Sequence, residues 1–327
     1  MSQMSPTTAS PRWHVLAAFA SVYVFWGGTY LGIRFALESL PPFLMAGARF
    51  LTAGTILYVW MRAKGAPRPS RIHWRDTAII GGLLLLGGNG GVTWAEQHVP
   101  SSLAALVVGA MPLWIALLGW LFFGSGRPTS RLSLGLITGF VGIALLVGPD
   151  NLTGEGGSLA GIGALLFAAL SWAFGSLYAL RATLPRTPLQ VTGMEMICGG
   201  ALLAALGTLS GEWGDVHLAE ISLKSGVAFG YLVIGGSLLG FSAYVWLLQN
   251  VPPAQAATYA YVNPVVALFL GWALADEPVT ALTLIAAAII IGSVVLITTA
   301  KVRPAPVEPE PTPVLSEPVP SPSGAGK

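Results

Sequence analysis

Two ionisable side chains lie deep inside long apolar runs: Arg49 in the stretch 42 to 61, and Glu195 in the stretch 188 to 209. Each is about seven residues from an end of its run, ~10 Å deep at the helical rise. A charge there costs ~2.5 to 3.5 kcal/mol or more, so each must face protein or water and have a partner. Arg49 would then anchor an anion or a gate, and Glu195 would carry a coupled proton. Equally, each would brace its own half through buried hydrogen bonds. Asn89, Thr93 and Glu96 recur at i, i+4 and i+7 and so share one helical face. Such a polar stripe belongs inside a bundle, either along an aqueous path or in an interhelical seam. Tyr23, Trp26 and Tyr30 share another face, and Tyr259 and Asn263 a third. With Trp94 and Trp172 they offer aromatic walls and a few oriented polar groups, which suits an amphipathic small molecule. Pro112 and Pro264 each remove a backbone donor and expose a carbonyl one turn earlier, as a hinge beside a binding site or as a tolerated kink.

The elements that position these groups follow from composition. Of 327 residues, 54% are hydrophobic and 9% charged, against roughly 25% charged in soluble domains. Lipid must therefore be the solvent for most of the surface. A net charge of +2 leaves no nucleic-acid footprint. The single cysteine, Cys198, excludes an intrachain disulfide and a thiolate metal cluster. The first apolar run is too long for a secretory signal and lacks a small-residue cleavage site, so it reads as an uncleaved span.

Apolar runs long enough to cross ~30 Å of hydrocarbon give ten predicted transmembrane helices: 14 to 34, 42 to 61, 77 to 97, 102 to 123, 131 to 148, 158 to 179, 188 to 209, 226 to 249, 254 to 275 and 280 to 299. Residues 225 to 275 contain no Asp, Glu, Lys or Arg, and the polar, proline-bearing segment Gln249 to Gln255 divides them into two helices. With the N-terminus inside, thirteen of the sixteen basic residues fall on the inner side, including the cluster Arg62, Lys64, Arg68, Arg71 and Arg75. The positive-inside rule thus selects cytoplasmic termini. Trp13, Trp60, Trp74, Trp120, Trp213 and Trp272 fall near the predicted membrane boundaries and read as interfacial anchors. Beyond Arg303 lie eight prolines between 304 and 322, so 300 to 327 is expected to be a disordered cytoplasmic tail.

A shift of 152 residues sets Val99 to Trp120 against Val251 to Trp272 with eight of twenty-two positions identical, among them Pro112 with Pro264. A shift of 146 sets Trp26 against Trp172 and Arg49 against Glu195. The chain therefore divides into a short N-terminus (1 to 13), a first five-helix repeat (14 to 148), an outer linker (149 to 157) and a second repeat (158 to 299). With five spans each, the copies enter the membrane from opposite sides, as in secondary transporters; some channels are duplicated as well.

The stretches Trp26-Gly27-Gly28-Thr29-Tyr30, Pro41-Pro42 with Ala48-Arg49-Phe50, Gly88 to Glu96, Ser171 to Ser176, and Tyr259 to Val266 resemble those of EamA-type permeases. These belong to the drug/metabolite transporter superfamily, and the likeness is to its bacterial YedA-type exporters. It covers about residues 14 to 300. The resemblance implies an all-α inner-membrane carrier of two inverted repeats, with a central cavity lined mainly by helices 1, 3, 4, 6, 8 and 9. It also implies export of amino acids, metabolites or drug-like compounds.

No ATP-binding Gly-x-x-x-x-Gly-Lys-Ser/Thr loop, no metal-ligand spacing and no nucleophile-base grouping appears, so no cofactor, metal or enzymatic reaction is expected. The expected partners are a small-molecule substrate, the lipid bilayer and, through Glu195, protons. Gly135 and Gly139 permit close helix approach, for internal packing first and a homodimer second. The rival functions are a facilitative pore and a membrane-embedded enzyme.

Overall fold

The computed structural model describes residues 12–124, 129–152, 159–250 and 259–298, and among them every regular element is a helix. Residues 1 to 11 of the expected N-terminal segment, 153 to 157 of the linker, 251 to 255 of the polar hairpin and the proline-rich tail lie outside the described residues.

Seven helices are long and apolar enough to cross a membrane: α1 (Arg12–Ala36), α2 (Pro42–Ala63), α3 (Arg71–Ala95), α4 (Ser101–Phe122), α6 (Leu159–Ala179), α7 (Pro188–Leu209) and α8, apolar over Leu223–Tyr244. Three others, α5 (Ser130–Leu152), α9 (Tyr259–Ala275) and α10 (Ala281–Thr298), carry shorter apolar stretches. The chain is a multi-pass membrane protein. Trp13, Trp60, Trp120, Trp213 and Trp272 are exposed, whereas Trp74 is partly buried against Tyr58.

Local chemistry sets the helix starts. Pro42 and Pro188 open α2 and α7, where the missing N–H would have no intrahelical acceptor. Ser70 and Ser222 cap α3 and α8 by accepting from the backbone N–H of His73 and Ser225. Midway, α3 and α8 each widen into a nine-residue π-helical segment, Gly82–Gly90 and Leu232–Gly240. A wider turn leaves carbonyls free for other partners, and both segments use one. Leu83 O accepts from Ser171 Oγ of α6 at 2.7 Å, and Gly236 O accepts from Trp26 Nε1 of α1 at 3.0 Å.

Packing joins the first part of the chain to the second. α2 lies along α7 at a separation only glycine allows: a Cβ on Gly54 would fall 2.8 Å from Gly193 O, and one on Gly200 would fall 2.8 Å from Leu51 N. α5 lies along α10, and a Cβ on Gly139 would meet Leu113 of α4 and Ser293 of α10. Gly139 thus serves packing within the chain, the first of its two expected roles. The two sequence-matched prolines behave differently. α4 breaks at Ala110, so that Pro112 lies at the start of a new helical segment, whereas α9 runs through Pro264.

Candidate functional site

The middle of the bundle encloses a cavity of about 90 Å³. Its walls come from α1 (Trp26, Thr29, Tyr30 and Ile33), α3 (Asn89 and Val92), α4 (Val108 and Met111), α6 (Trp172), α8 (Phe241) and α9 (Tyr259 and Asn263), and α2 contributes Arg49 alone. Seven residues singled out from sequence therefore meet in one place: Trp26, Tyr30, Arg49, Asn89, Trp172, Tyr259 and Asn263.

Part of the aromatic wall is built from ring contacts around Trp26. Trp26 meets Tyr259 edge-on at 5.1 Å and Phe241 at 5.1 Å, and its indole N–H is held by Gly236 O. Two polar groups break this apolar surface. Arg49 is buried, donates from Nε to Ser237 Oγ at 2.9 Å and lies over the Phe50 ring. No described carboxylate lies within ion-pair distance of it. Asn263 is buried and its Oδ1 has no hydrogen-bond partner. A guanidinium with no described carboxylate partner and an unpaired amide oxygen in one aromatic cavity can hold a ligand's acceptor or anionic group and its donor.

Other candidates stand apart. Trp94 lines a separate apolar groove with Phe43, Phe167 and Ser171 and meets the His98 ring at a tilt, 4.5 Å between centroids. Thr93 is buried in the helix packing and Glu195 lies on α7 where it packs against α3; neither borders the cavity. Glu96 follows the last residue of α3 and borders a second pocket with Arg34, Leu37, Glu38, His98 and Pro100.

Beside that second pocket lies the most heavily bonded carboxylate of the described residues. Glu277, in the turn between α9 and α10, accepts from Arg34 Nη1 at 2.8 Å, Ser101 N at 2.9 Å, Ser101 Oγ at 2.7 Å and Ser102 N at 3.0 Å. It thereby caps α4 and ties α1, α4 and the α9–α10 turn together. Gly271 makes room, since a Cβ there would fall 2.5 Å from Glu277 Oε2. Burial alone would raise this carboxyl's pKa, but the hydrogen bonds from Ser102 and Ser101 outweigh burial and hold it below the ordinary value.

One family model, described as the EamA-like transporter family, matches residues 12–148 and again 159–299. The chain belongs to the EamA-like transporter family. It is 39% identical over 306 residues to the inner membrane transporter YedA of Escherichia coli, covering 93% of this chain and 96% of that protein. It is 22% identical over 272 residues to the transporter YoaV of Bacillus subtilis, covering 81% and 90% of the two chains. Among solved structures, a crystal structure 21% identical in sequence superposes with a TM-score of 0.60 over 88% of this chain and 97% of that one, a likeness of fold.

For an EamA-like chain, sequence reasoning missed two functional groups. Ser237 is the one polar side chain bonded to Arg49 among the described residues, and it lies in the long uncharged stretch where a single serine carries no signal. Glu277 contributed to the reading only as an outer-loop charge; its pairing with a residue 243 positions away is set by tertiary structure.

Proposed function

We propose that this EamA-like protein is a secondary transporter of the inner membrane that exports a small metabolite, amino acid or drug-like molecule by alternating access. Ten spans form two inverted five-helix repeats with cytoplasmic termini, so the Glu277 end of the bundle faces outward. The observation that carries the reading is the central cavity, built from helices of both parts of the chain and lined by aromatic side chains around Arg49 and Asn263. A site at the interface of two similar halves is reachable from either side when the halves rock. The matched π-helical segments of α3 and α8, each bonded to a helix of the other half, support the pseudo-symmetry this requires.

Within the site, Trp26, Tyr30, Trp172 and Tyr259 cover the apolar body of the substrate, and Asn89, Arg49 and Asn263 orient its polar groups. Pro112 serves as the hinge of α4, at a break already present, and Pro264 as a softer bend in α9. Glu195 lies away from the cavity, on α7 where it packs against α3, and makes no substrate contact. The test begins with metabolite profiling of cells lacking or overexpressing the gene, followed by flux of the compounds found into proteoliposomes. Saturable flux with counterflow is expected; unsaturated, highly conductive flux would identify a pore instead.

A further inference from the structure

We propose that Glu96 is the protein's proton-binding site and that its proton governs whether the Glu277 latch holds. The inference rests on the transport reading and adds to it a coupling ion and a place for that ion to act. Glu96 is 6% exposed, and both of its carboxylate oxygens are buried without a hydrogen-bond partner among the described residues. Glu277, nearby, satisfies its oxygens with four donors. An ionised carboxylate that is dry and unbonded is heavily penalised, and the group takes a proton in place of the missing partner. The arrangement seen here, with Arg34 on Glu277, is therefore the one in which Glu96 is neutral.

The groups around Glu96 show what losing that proton would do. Tyr30 and Arg34 face it from α1, Arg49 from α2 and Glu277 from the α9–α10 turn, while Glu38 and His98 border the same pocket. Arg34 is the cation that shares this pocket with Glu96, and its side chain is 38% exposed. Once Glu96 is ionised, two carboxylates compete for one guanidinium and repel each other. Arg34 then leaves Glu277 for Glu96, and α1 separates from the start of α4. Tyr30, one turn before Arg34, borders the central cavity, so movement of this part of α1 opens the cavity toward the Glu277 end. A proton arriving from that end restores the latch. Proton binding and outward opening are in this way mutually exclusive, which is the requirement for exchange of a proton against substrate.

The test needs no substrate. A cysteine replaces Val108, which borders the cavity from α4, in a Cys198→Ser background, and a membrane-impermeant maleimide is applied to right-side-out and inside-out vesicles from pH 5 to pH 9. Because thiolate also increases with pH, rates are normalised to a cysteine at Gly214, a glycine with open space around it in the turn before α8. The expected result is labelling from the Glu277 side that rises with pH, by up to about tenfold per unit below the midpoint, and levels off above it. With Glu96→Gln, a permanently neutral mimic, labelling should be low and independent of pH, whereas Glu277→Gln should raise it even at pH 5. A pH-independent rate in the parent, or a wild-type slope surviving in Glu96→Gln, would overturn the proposal. Loss of the slope in His98→Gln with Glu96 intact would do the same, by making the imidazole the titrating group. Should Glu96→Gln fail to fold, the parent and His98→Gln profiles still decide. Labelling from both sides without pH dependence defeats the proton site and leaves the transport reading standing, whereas labelling from one side at every pH defeats both.

Discussion

The two ends of the bundle each join distant parts of the chain through a buried carboxylate, yet the two joints differ in kind. At one end Glu277 takes a cation from α1, 243 residues away, together with the first two N–H groups of α4. At the other, Asp76 near the start of α3 takes its cation from its own neighbour, Arg75, and reaches across only to the Thr183 N–H at 2.7 Å and the Tyr178 hydroxyl. If the halves move apart, the Arg75–Asp76 pair survives and one backbone hydrogen bond is the main loss. The Arg34–Glu277 pair cannot survive the same motion. Charge pairing thus resists opening at the Glu277 end, and at the Asp76 end it does not.

Breaking the stronger joint should give the largest effect. Glu277→Ala leaves Arg34 without its partner and uncaps α4, and should cost about 2 to 4 kcal/mol, seen as a lower thermal midpoint in detergent. The pH dependence follows from the lowered pKa of Glu277. A depressed carboxyl stabilises the fold above its unfolded value, roughly 4.3, and that stabilisation is lost as pH falls through the lower folded value. The gap in midpoint between wild type and Glu277→Gln should not narrow from pH 7 to pH 5 and should close below about pH 4. A gap that closes between pH 7 and pH 5 would contradict the hydrogen-bonded, ionised state.

Between the two ends, the cavity gives the next effect. Asn263→Ala should weaken binding by about 1 to 3 kcal/mol, roughly five- to 150-fold, with normal membrane abundance, and Trp26→Ala should likewise impair flux. Trp272→Ala removes an exposed ring and should leave specific activity unchanged. The reverse pattern in flux assays on purified protein would remove the cavity from the mechanism. Weaker still is the Asp76 end. Asp76→Asn keeps an acceptor for Thr183 and should lower the thermal midpoint less than Glu277→Gln does. Arg75→Ala removes an exposed, screened partner and should leave the midpoint unmoved. If Asp76→Asn were the more damaging of the two carboxylate changes, the asymmetry between the ends would be reversed.

The cavity was largely legible in the sequence because membranes make polar and aromatic spacing informative. An amide such as Asn263 inside an apolar run has few places to go, and helical periodicity places Tyr259 on its face. The same logic held for Arg49, which is buried as its depth required, and failed for Glu277, an outer-loop charge in the sequence that the fold buries. Periodicity located Trp94 less well, since α3 widens into a π-helical segment over Gly82–Gly90 just before it, and each such turn rotates the face that follows. Trp94 consequently faces a separate groove, while Asn89 within the widened segment borders the cavity. The latch was illegible because Arg34 and Glu277 each lie near a helix end, where a charge reaches water without a partner. Only the packing of α1 against α4 and α9 brings them together.

The most direct test of alternating access asks whether the two ends open reciprocally. A cysteine at Val108 in the Cys198→Ser background would be labelled at pH 7 from the Glu277 side and from the opposite side, with and without Glu277→Gln. Weakening one joint of a carrier shifts a two-state equilibrium, so labelling from the Glu277 side should rise while labelling from the opposite side falls. Simultaneous increases from both sides would show a continuous pore and contradict the alternating-access account.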